Sequence, residues 1–330
     1  MHIIDNHGRP INYLRLAVTD RCNLRCFYCM PENGITYLPK KELLTFEEIH
    51  RLISLLATMG ITKVRLTGGE PFVRNDLMKL IRSITEIPGI DELHLTTNGV
   101  LTAPYIPELK KLGIGSVNLS LDTLDEKRFH AITRRNEFDA VQKTLDLLVE
   151  HGIHVKINAV VMEDKNIEDI IPLIELTKHQ KIDVRFIEEM PFNGEGNHYP
   201  TLSWTHNRIL DYIREHFAAM YKIPDPAFST SSNYHIPGHQ GNFGVIAAFS
   251  RTFCGTCNRV RVTAQGTLKT CLYDDGVLDV RQLLRSTSDD GLISARLMDA
   301  FQHRAKDGFE AEANRKGKSP VSESMSTIGG

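Results

Sequence analysis

The sequence predicts an α/β fold: an incomplete (β/α)6 TIM-like barrel followed by a smaller C-terminal α+β module. Three observations carry that expectation. Strand-like segments alternate with amphipathic helical segments, the strand segments keep one apolar and one polar face, and the alternation stops at a Gly/Pro/Asn-rich loop just after Met190.

The strand segments fall at residues 12–18, 63–66, 92–95, 116–121, 154–161 and 183–187. Helical periodicity occupies residues 46–59, 76–87, 106–112, 138–150 and 167–178 between them. Such crossovers make the strands parallel and curl right-handed, so a barrel or open barrel follows. Period two then sorts the faces. Leu14 and Leu16, Val64 and Leu66, Leu93 and Leu95, Val117 and Leu119, and Val155 and Ile157 lie on the side that helices cover. The other side carries Arg15, Lys63, Arg65, His94, Thr96, Asn118, Ser120, Lys156, Asn158, Asp183 and Arg185. Barrel interiors are normally filled by branched aliphatics, so this polar row implies a wider lumen that holds a polar ligand. A sheet with one wet face is the alternative, but βα crossovers place helices on such faces.

A chain of 330 residues can bury a sizeable core, and its formal charge of -2 argues against a wide nucleic-acid surface, which needs a basic excess. No run of 18 apolar residues suggests a membrane span, and the start MHIIDNHGRPINY lacks the pattern of a secretory leader. The cytoplasm is therefore the expected compartment. In a reducing compartment, cysteines are expected as ligands or catalysts rather than as disulfide partners.

All six cysteines fall into two groups of three: Cys22, Cys26 and Cys29 in TDRCNLRCFYCM, and Cys254, Cys257 and Cys271 in FCGTCNRVRVTAQGTLKTCL. Structural zinc would need a fourth ligand that neither group supplies nearby. Three thiolates on a four-iron cluster leave one iron open, the counterpart of a catalytic metal with a free position. CxxxCxxC with Tyr28 directly before the third cysteine resembles the radical S-adenosylmethionine superfamily. The resemblance implies that the open iron chelates the amino and carboxylate groups of S-adenosylmethionine. An added electron then yields a 5′-deoxyadenosyl radical. In the same order follow Gly68-Gly69-Glu70-Pro71, whose glycines let backbone approach a ligand and whose Glu70 can accept from an ammonium group, then Thr96-Thr97-Asn98-Gly99, Ser120 and Met190.

Beyond the loop at residues 191–203 a smaller module is expected, which divides the chain into a core at 1–190 and a C-terminal unit at 191–330. A helix over residues 205–221, strands at 243–249 and 259–262, and the second cysteine group belong to it. Arg259 and Arg261 share one strand face, and with Arg15, Lys63, Arg65 and Lys156 they converge on the proposed lumen. Buried like charges need an anion, and a polyphosphate suits them.

Both cysteine groups, the thirteen residues between Cys257 and Cys271, the context NRVRVTAQGTLKTC and the terminal MSTIGG resemble the GTP 3′,8-cyclases of molybdenum cofactor biosynthesis. The resemblance covers essentially the whole chain. It implies two 4Fe-4S clusters, abstraction of the C3′ hydrogen of GTP, attack of that carbon on C8 of guanine, and guanine bound to the open iron of the second cluster. It places Arg15, Lys63, Arg65, Thr96, Lys156, Arg259, Val260 and Arg261 around GTP, and Tyr28, Gly69, Glu70, Ser120 and Met190 around S-adenosylmethionine. It also brings the tail, Gly329 and Gly330, into the active site. By composition alone, residues 310–330 read as a disordered polar terminus. The expected partners are a low-potential donor of the flavodoxin or ferredoxin class and a downstream cyclic pyranopterin monophosphate synthase. A homodimer is left open. Two other readings stand beside this one: a peptide-modifying radical enzyme with an auxiliary cluster, and a zinc-stabilised binding module.

Overall fold

The computed structural model describes residues 3–192, 202–316 and 323–329. An N-terminal antiparallel hairpin, β1 (Ile3–Ile4) and β2 (Pro10–Ile11), precedes the main sheet. Six strands then pair in chain order and all in parallel: β3 (Tyr13–Ala17), β4 (Lys63–Thr67), β5 (Glu92–Thr97), β6 (Ser116–Ser120), β7 (Val155–Val161) and β8 (Asp183–Glu188). The crossovers hold α1 (Phe46–Met59), α2 (Leu77–Thr85), α3 (Ile106–Lys111), α4 (Glu126–Thr133), α5 (Phe138–Glu150) and α6 (Ile170–His179). Thus the expected alternation is present, and α1 and α5 have the bounds that periodicity predicts.

Local chemistry sets the helix ends. At the start of α1, the Thr45 hydroxyl accepts from the Glu48 amide and the Glu48 carboxylate from the Thr45 amide, a reciprocal capping box; the helix stops at Gly60, whose φ is 116°. Periodicity does not predict α4. Its sequence EKRFHAIT buries only Phe129, Ile132 and Thr133, too few apolar positions to announce a face, and the Asp125 side chain caps it by accepting from the Arg128 amide.

The second half of the chain contributes α7 (His206–His216), β9 (Tyr221–Lys222), β10 (Ser231–His235), β11 (Asn242–Ile246), β12 (Arg259–Val262), β13 (Thr267–Lys269), β14 (Leu278–Asp279), α8 (Val280–Ser286), α9 (Asp290–Gln302), α10 (Gly308–Ala313) and α11 (Met325–Ile328). Its strands extend both edges of the first sheet: β11 lies parallel to β8, and β12 parallel to β3. The result is one open sheet in the order β14-β13-β12-β3-β4-β5-β6-β7-β8-β11-β10-β9. Edge pairing of this kind satisfies the backbone groups that an incomplete barrel leaves free.

Leu14, Leu16, Val64, Leu66, Leu95, Val117, Leu119, Val155 and Ile157 are fully buried in the main core, with Leu93 beside them. A smaller cluster of Phe192, Tyr273, Ala311 and Ile328 anchors the end of the chain. The described residues of 310–330 therefore depart from the disordered terminus that composition suggests: α10 and α11 are formed, and the Met325 amide donates to the Phe192 carbonyl at 3.1 Å. Among the described residues no helix is long and apolar enough to cross a membrane. Leu66 sits at the centre of the sheet with no exposure, so Leu66→Ala is expected to destabilise the fold by about 2–5 kcal/mol, measured by equilibrium denaturation.

Candidate active site

The first cysteine group lies on the loop after β3, and the Gly-Gly turn after β4 holds that loop in place. Gly69 donates its amide to the Thr19 carbonyl and Glu70 to the Arg21 carbonyl, each at 2.8 Å. The approach is close: a Cβ on Gly69 would sit 2.2 Å from the Arg21 carbonyl oxygen, and one on Gly68 2.4 Å from that of Thr19. Asn98, at the end of β5, donates to the Cys22 sulfur at 3.6 Å and to the Asn23 side chain at 2.7 Å. The Tyr28 hydroxyl donates to Asp122 at 2.8 Å, and Ser324 of the tail donates to the Cys29 carbonyl at 2.6 Å. Strand ends and tail thus meet at this loop.

Glu70 acts differently from the ammonium acceptor that sequence suggests. Fully buried, it accepts from the Phe72 amide, the Thr97 hydroxyl and the Asn98 amide, and so ties the Gly-Gly turn to β5. Burial pushes its carboxyl up to about 7 against those three donors.

The second group is assembled by a hairpin. Antiparallel β12 and β13 place Arg261 opposite Lys269, which brings Cys271, two residues past β13, back beside the Cys254–Cys257 turn that precedes β12. All three cysteines face the same cavity. The Asp274 carboxylate fixes the Cys271 end by accepting from the amides of Thr270 and Cys271 at 2.8 Å each.

Neither group contains a disulfide. Burial, then the charges of Glu70 and Cys29, pushes Cys22 up to about 12, and burial pushes Cys29 to about 11 and Cys271 to about 11. Burial pushes Cys257 the same way, yet Arg259 and Arg304 overcome it and bring this thiol down to about 6. The raised thiols of Cys22, Cys29 and Cys271 become thiolates readily beside metal cations, whereas Cys257 is already favoured as a thiolate by its two arginines. Among the described residues no three His, Cys, Asp or Glu side chains form a site for a single ion, whereas two sets of three thiols suit cubane clusters with one open iron each.

Between the sheet and the second group lies a cavity of about 330 Å³. Arg15, Lys63, Arg65, Lys156, Arg185, Arg251, Arg259 and Arg261 line it, and among the described residues no aspartate or glutamate does. Burial, then Arg261, brings Arg15 down to about 9; burial, then Arg185, brings Lys156 down to about 8; burial, then Arg259, brings Arg261 down to about 10. The Nε atoms of Arg15 and Arg185 are buried without a hydrogen-bond partner. Arg65, by contrast, is held by the Tyr13 hydroxyl at 2.7 Å and the Leu95 carbonyl at 2.6 Å, and Lys63 pairs with Glu92 at 2.7 Å on the rim. Arg261 donates to the Gly329 carbonyl at 2.6 Å, and Met325 joins Met190 on the cavity wall, so the tail does reach this space. Gly330 lies outside the described residues.

Not every residue expected here lines the cavity. Val260 is a correction: strand alternation turns its fully buried side chain into the core, opposite Arg259 and Arg261, so only its main chain is near the lumen. Thr96 keeps a buried, unpartnered hydroxyl, and Ser120 is half-buried at the end of β6; neither lines the cavity, nor do Tyr28, Gly69 and Glu70, which belong to the first cysteine group. Sequence reasoning placed Arg185 on the inward face without assigning it to the site, although it has the parity of Asp183 and the same row as Lys156. Tyr13 shares the parity of Arg15 and was legible in the same way, whereas Arg251 and Met325 carry no comparable signal because they lie outside the strands.

The family described as Radical SAM superfamily matches residues 16–177, and the family described as Molybdenum Cofactor Synthesis C matches residues 182–309. Among curated proteins, the GTP 3′,8-cyclase of Syntrophomonas wolfei is 38% identical over 326 residues, covering 95% of this chain and 98% of that protein. The mitochondrial GTP 3′,8-cyclase of Arabidopsis thaliana is 40% identical, covering 87% of this chain and 74% of that one. Molybdenum cofactor biosynthesis protein 1 of Homo sapiens is 40% identical, and there the chain spans only 45% of the relative's length. The chain spans about half the length of several such animal relatives. Among solved structures, Streptococcus suis SuiB bound to S-adenosylmethionine superposes with a TM-score of 0.61 at 17% identity, covering 88% of this chain and 67% of that one, a likeness of fold.

The Gly69 contact yields a direct test. Because the Asp20–Arg21 backbone crowds the added methyl, Gly69→Ala is expected to displace the Arg21 segment and lower iron uptake at the first cysteine group, read by iron analysis and by the signal of that cluster after anaerobic reconstitution. Wild-type uptake by the variant would show that the turn does not hold the loop.

Proposed function

This chain belongs to the GTP 3′,8-cyclase family of the radical S-adenosylmethionine superfamily, and from that premise we propose that it converts GTP to (8S)-3′,8-cyclo-7,8-dihydroguanosine 5′-triphosphate, the first step of molybdenum cofactor biosynthesis. The observation that carries this reading is the cavity of buried cations with three cysteines in its wall and, among the described residues, no carboxylate. Such a space favours a polyanion whose other end is a metal ligand, a description that a purine nucleoside triphosphate meets.

In this reading Arg15, Lys63, Arg65, Lys156, Arg259 and Arg261 hold the triphosphate, joined by Arg185. Thr96 and the main chain of Val260 stand beside the nucleoside. Cys254, Cys257 and Cys271 would hold the second cluster in the cavity wall, where its open iron would offer a position for a guanine donor atom. Cys22, Cys26 and Cys29 would hold the first cluster, which with S-adenosylmethionine bound would supply 5′-deoxyadenosyl radical chemistry. Tyr28, the backbone of Gly69, Ser120 and Met190 surround that cofactor, and Glu70 braces the turn. The tail, through Met325 and Gly329, shields the reacting atoms from water, which a radical intermediate requires. A low-potential flavodoxin or ferredoxin feeds the first cluster, a cyclic pyranopterin monophosphate synthase takes the product, and the unbridged thiols favour the cytoplasm or another reducing compartment.

Anaerobic reconstitution followed by incubation with S-adenosylmethionine, a strong reductant and GTP is expected to yield the cyclised nucleotide with 5′-deoxyadenosine. No cyclised product, with peptides or other nucleotides driving 5′-deoxyadenosine formation instead, would sink the assignment and favour the peptide-modifying reading.

Lys156 adds a pH test. Its ordinary value of 10.5 falls to about 8 through burial and the charges of Arg185, Arg65 and Lys63, with Asp183 opposing. A bound triphosphate raises it again, so between these values the free protein lacks a proton that the complex holds. At about pH 9, GTP binding should therefore take up protons, and affinity should fall as pH rises beyond about 8. Calorimetry in buffers of different ionisation enthalpy measures the uptake, and Lys156→Met should lower it, leaving the share of Arg15, itself brought down to about 9; unchanged uptake in that variant would remove Lys156 from the phosphate site.

A further inference from the structure

The family matches begin at residue 16 and end at residue 309, which leaves the N-terminal hairpin outside both. That hairpin nevertheless reaches the second cysteine group. Between β1 and β2, Asp5 is buried and accepts from the Arg9 amide at 2.8 Å and from Arg9 Nε at 2.7 Å. Arg9 in turn donates to the carbonyls of Cys254 at 3.1 Å, Lys306 at 2.7 Å and Ala305 at 2.8 Å. The second carboxylate oxygen of Asp5 also faces Arg304 at 3.3 Å, and Asn6 and His7 donate to the Arg304 carbonyl at 3.0 and 2.9 Å.

Arg304 follows α9, is 3% exposed and has every guanidinium N–H engaged. Nε donates to the Thr270 carbonyl at 2.9 Å, Nη1 to Asp5 at 3.3 Å and the Cys257 carbonyl at 2.8 Å, and Nη2 to the Arg259 carbonyl at 2.8 Å and the Cys257 sulfur at 3.1 Å. One planar fork thus joins both limbs of the cysteine group, 257–259 and 270–271, and sets a charged donor on a ligand sulfur. It also fixes the backbone of Arg259, whose side chain lines the cavity.

We propose that Arg304, oriented by Asp5 in the N-terminal hairpin, is the positioning residue of the second iron-sulfur cluster, clamping its two cysteine limbs and raising its reduction potential through the N–H···S bond to Cys257. This rests on the reading that Cys254, Cys257 and Cys271 hold a cluster. A donor on a ligand sulfur stabilises the electron-richer, reduced cluster, so its removal shifts the potential downward. Loss of such an outer partner also loosens metal, commonly by roughly 10- to 100-fold.

The test uses the full-length protein with both clusters reconstituted. In Arg304→Gln, redox titration followed by electron paramagnetic resonance is expected to show a lower midpoint potential for the second cluster and an unchanged one for the first. Iron at the second site should leave for a chelator roughly 10- to 100-fold faster. Arg304→Lys retains the buried charge beside Asp5 but not the fork, and should fall between Arg304→Gln and the wild type; it decides the matter if the glutamine variant does not fold. Wild-type potential and iron retention at the second cluster in these variants would overturn the proposal while leaving the two-cluster reading intact. A wild-type protein that takes up no iron at the second group would overturn both.

Discussion

The concentration of positive charge inside one lumen is the constraint around which the rest of the molecule is arranged. Eight cationic side chains line a cavity that, among the described residues, receives no carboxylate. Burying like charges together costs free energy, and the cost shows in the lowered values of Arg15, Lys156 and Arg261. Only a rigid scaffold holds them there. Parallel strands with a largely apolar outer face supply it, since each inward arginine or lysine on a strand is backed on that strand by a buried leucine, isoleucine or valine.

The same geometry relates the two cysteine groups. The first sits on a loop at the carboxyl end of β3, and the second is delivered to the cavity wall by β12, which pairs with that very strand. Arg15 on β3 and Arg261 on β12 are register partners, so one strand pair carries cations while its two ends lead to the two groups. The tail closes the arrangement, with Ser324 on the carbonyl of Cys29 and Gly329 on Arg261. A segment that touches both sides in this way can exclude water from the space between them.

Much of this was legible from period and spacing. The alternation of Leu14, Arg15 and Leu16, repeated at Val64, Arg65 and Leu66, announced both the core and the lumen, because a pleated strand leaves side chains no other choice. The cysteine spacing announced the clusters, because ligand geometry demands it. What escaped lies where neighbours decide. Glu70 looks like a ligand contact in the string GGEP, yet its burial beside Thr97 and Asn98 makes it a brace. Val260 stands between two site arginines, and parity turns it into the core. Residues 325–328, Met-Ser-Thr-Ile, are too few to announce a helix and become one as Ile328 and Met325 pack with Phe192 and Tyr273.

By itself, then, the sequence determined the strand-helix alternation, the inward row of cations and the two cysteine groups, since each is a local pattern of period or spacing. Only the tertiary structure decided that the second half of the chain extends both edges of one open sheet, and that Arg251 joins the lumen. It alone also brought Asp5, Arg9 and Arg304 to the second group. These contacts join residues as much as 299 positions apart, and such pairings depend on how the chain closes in space, which no local pattern encodes.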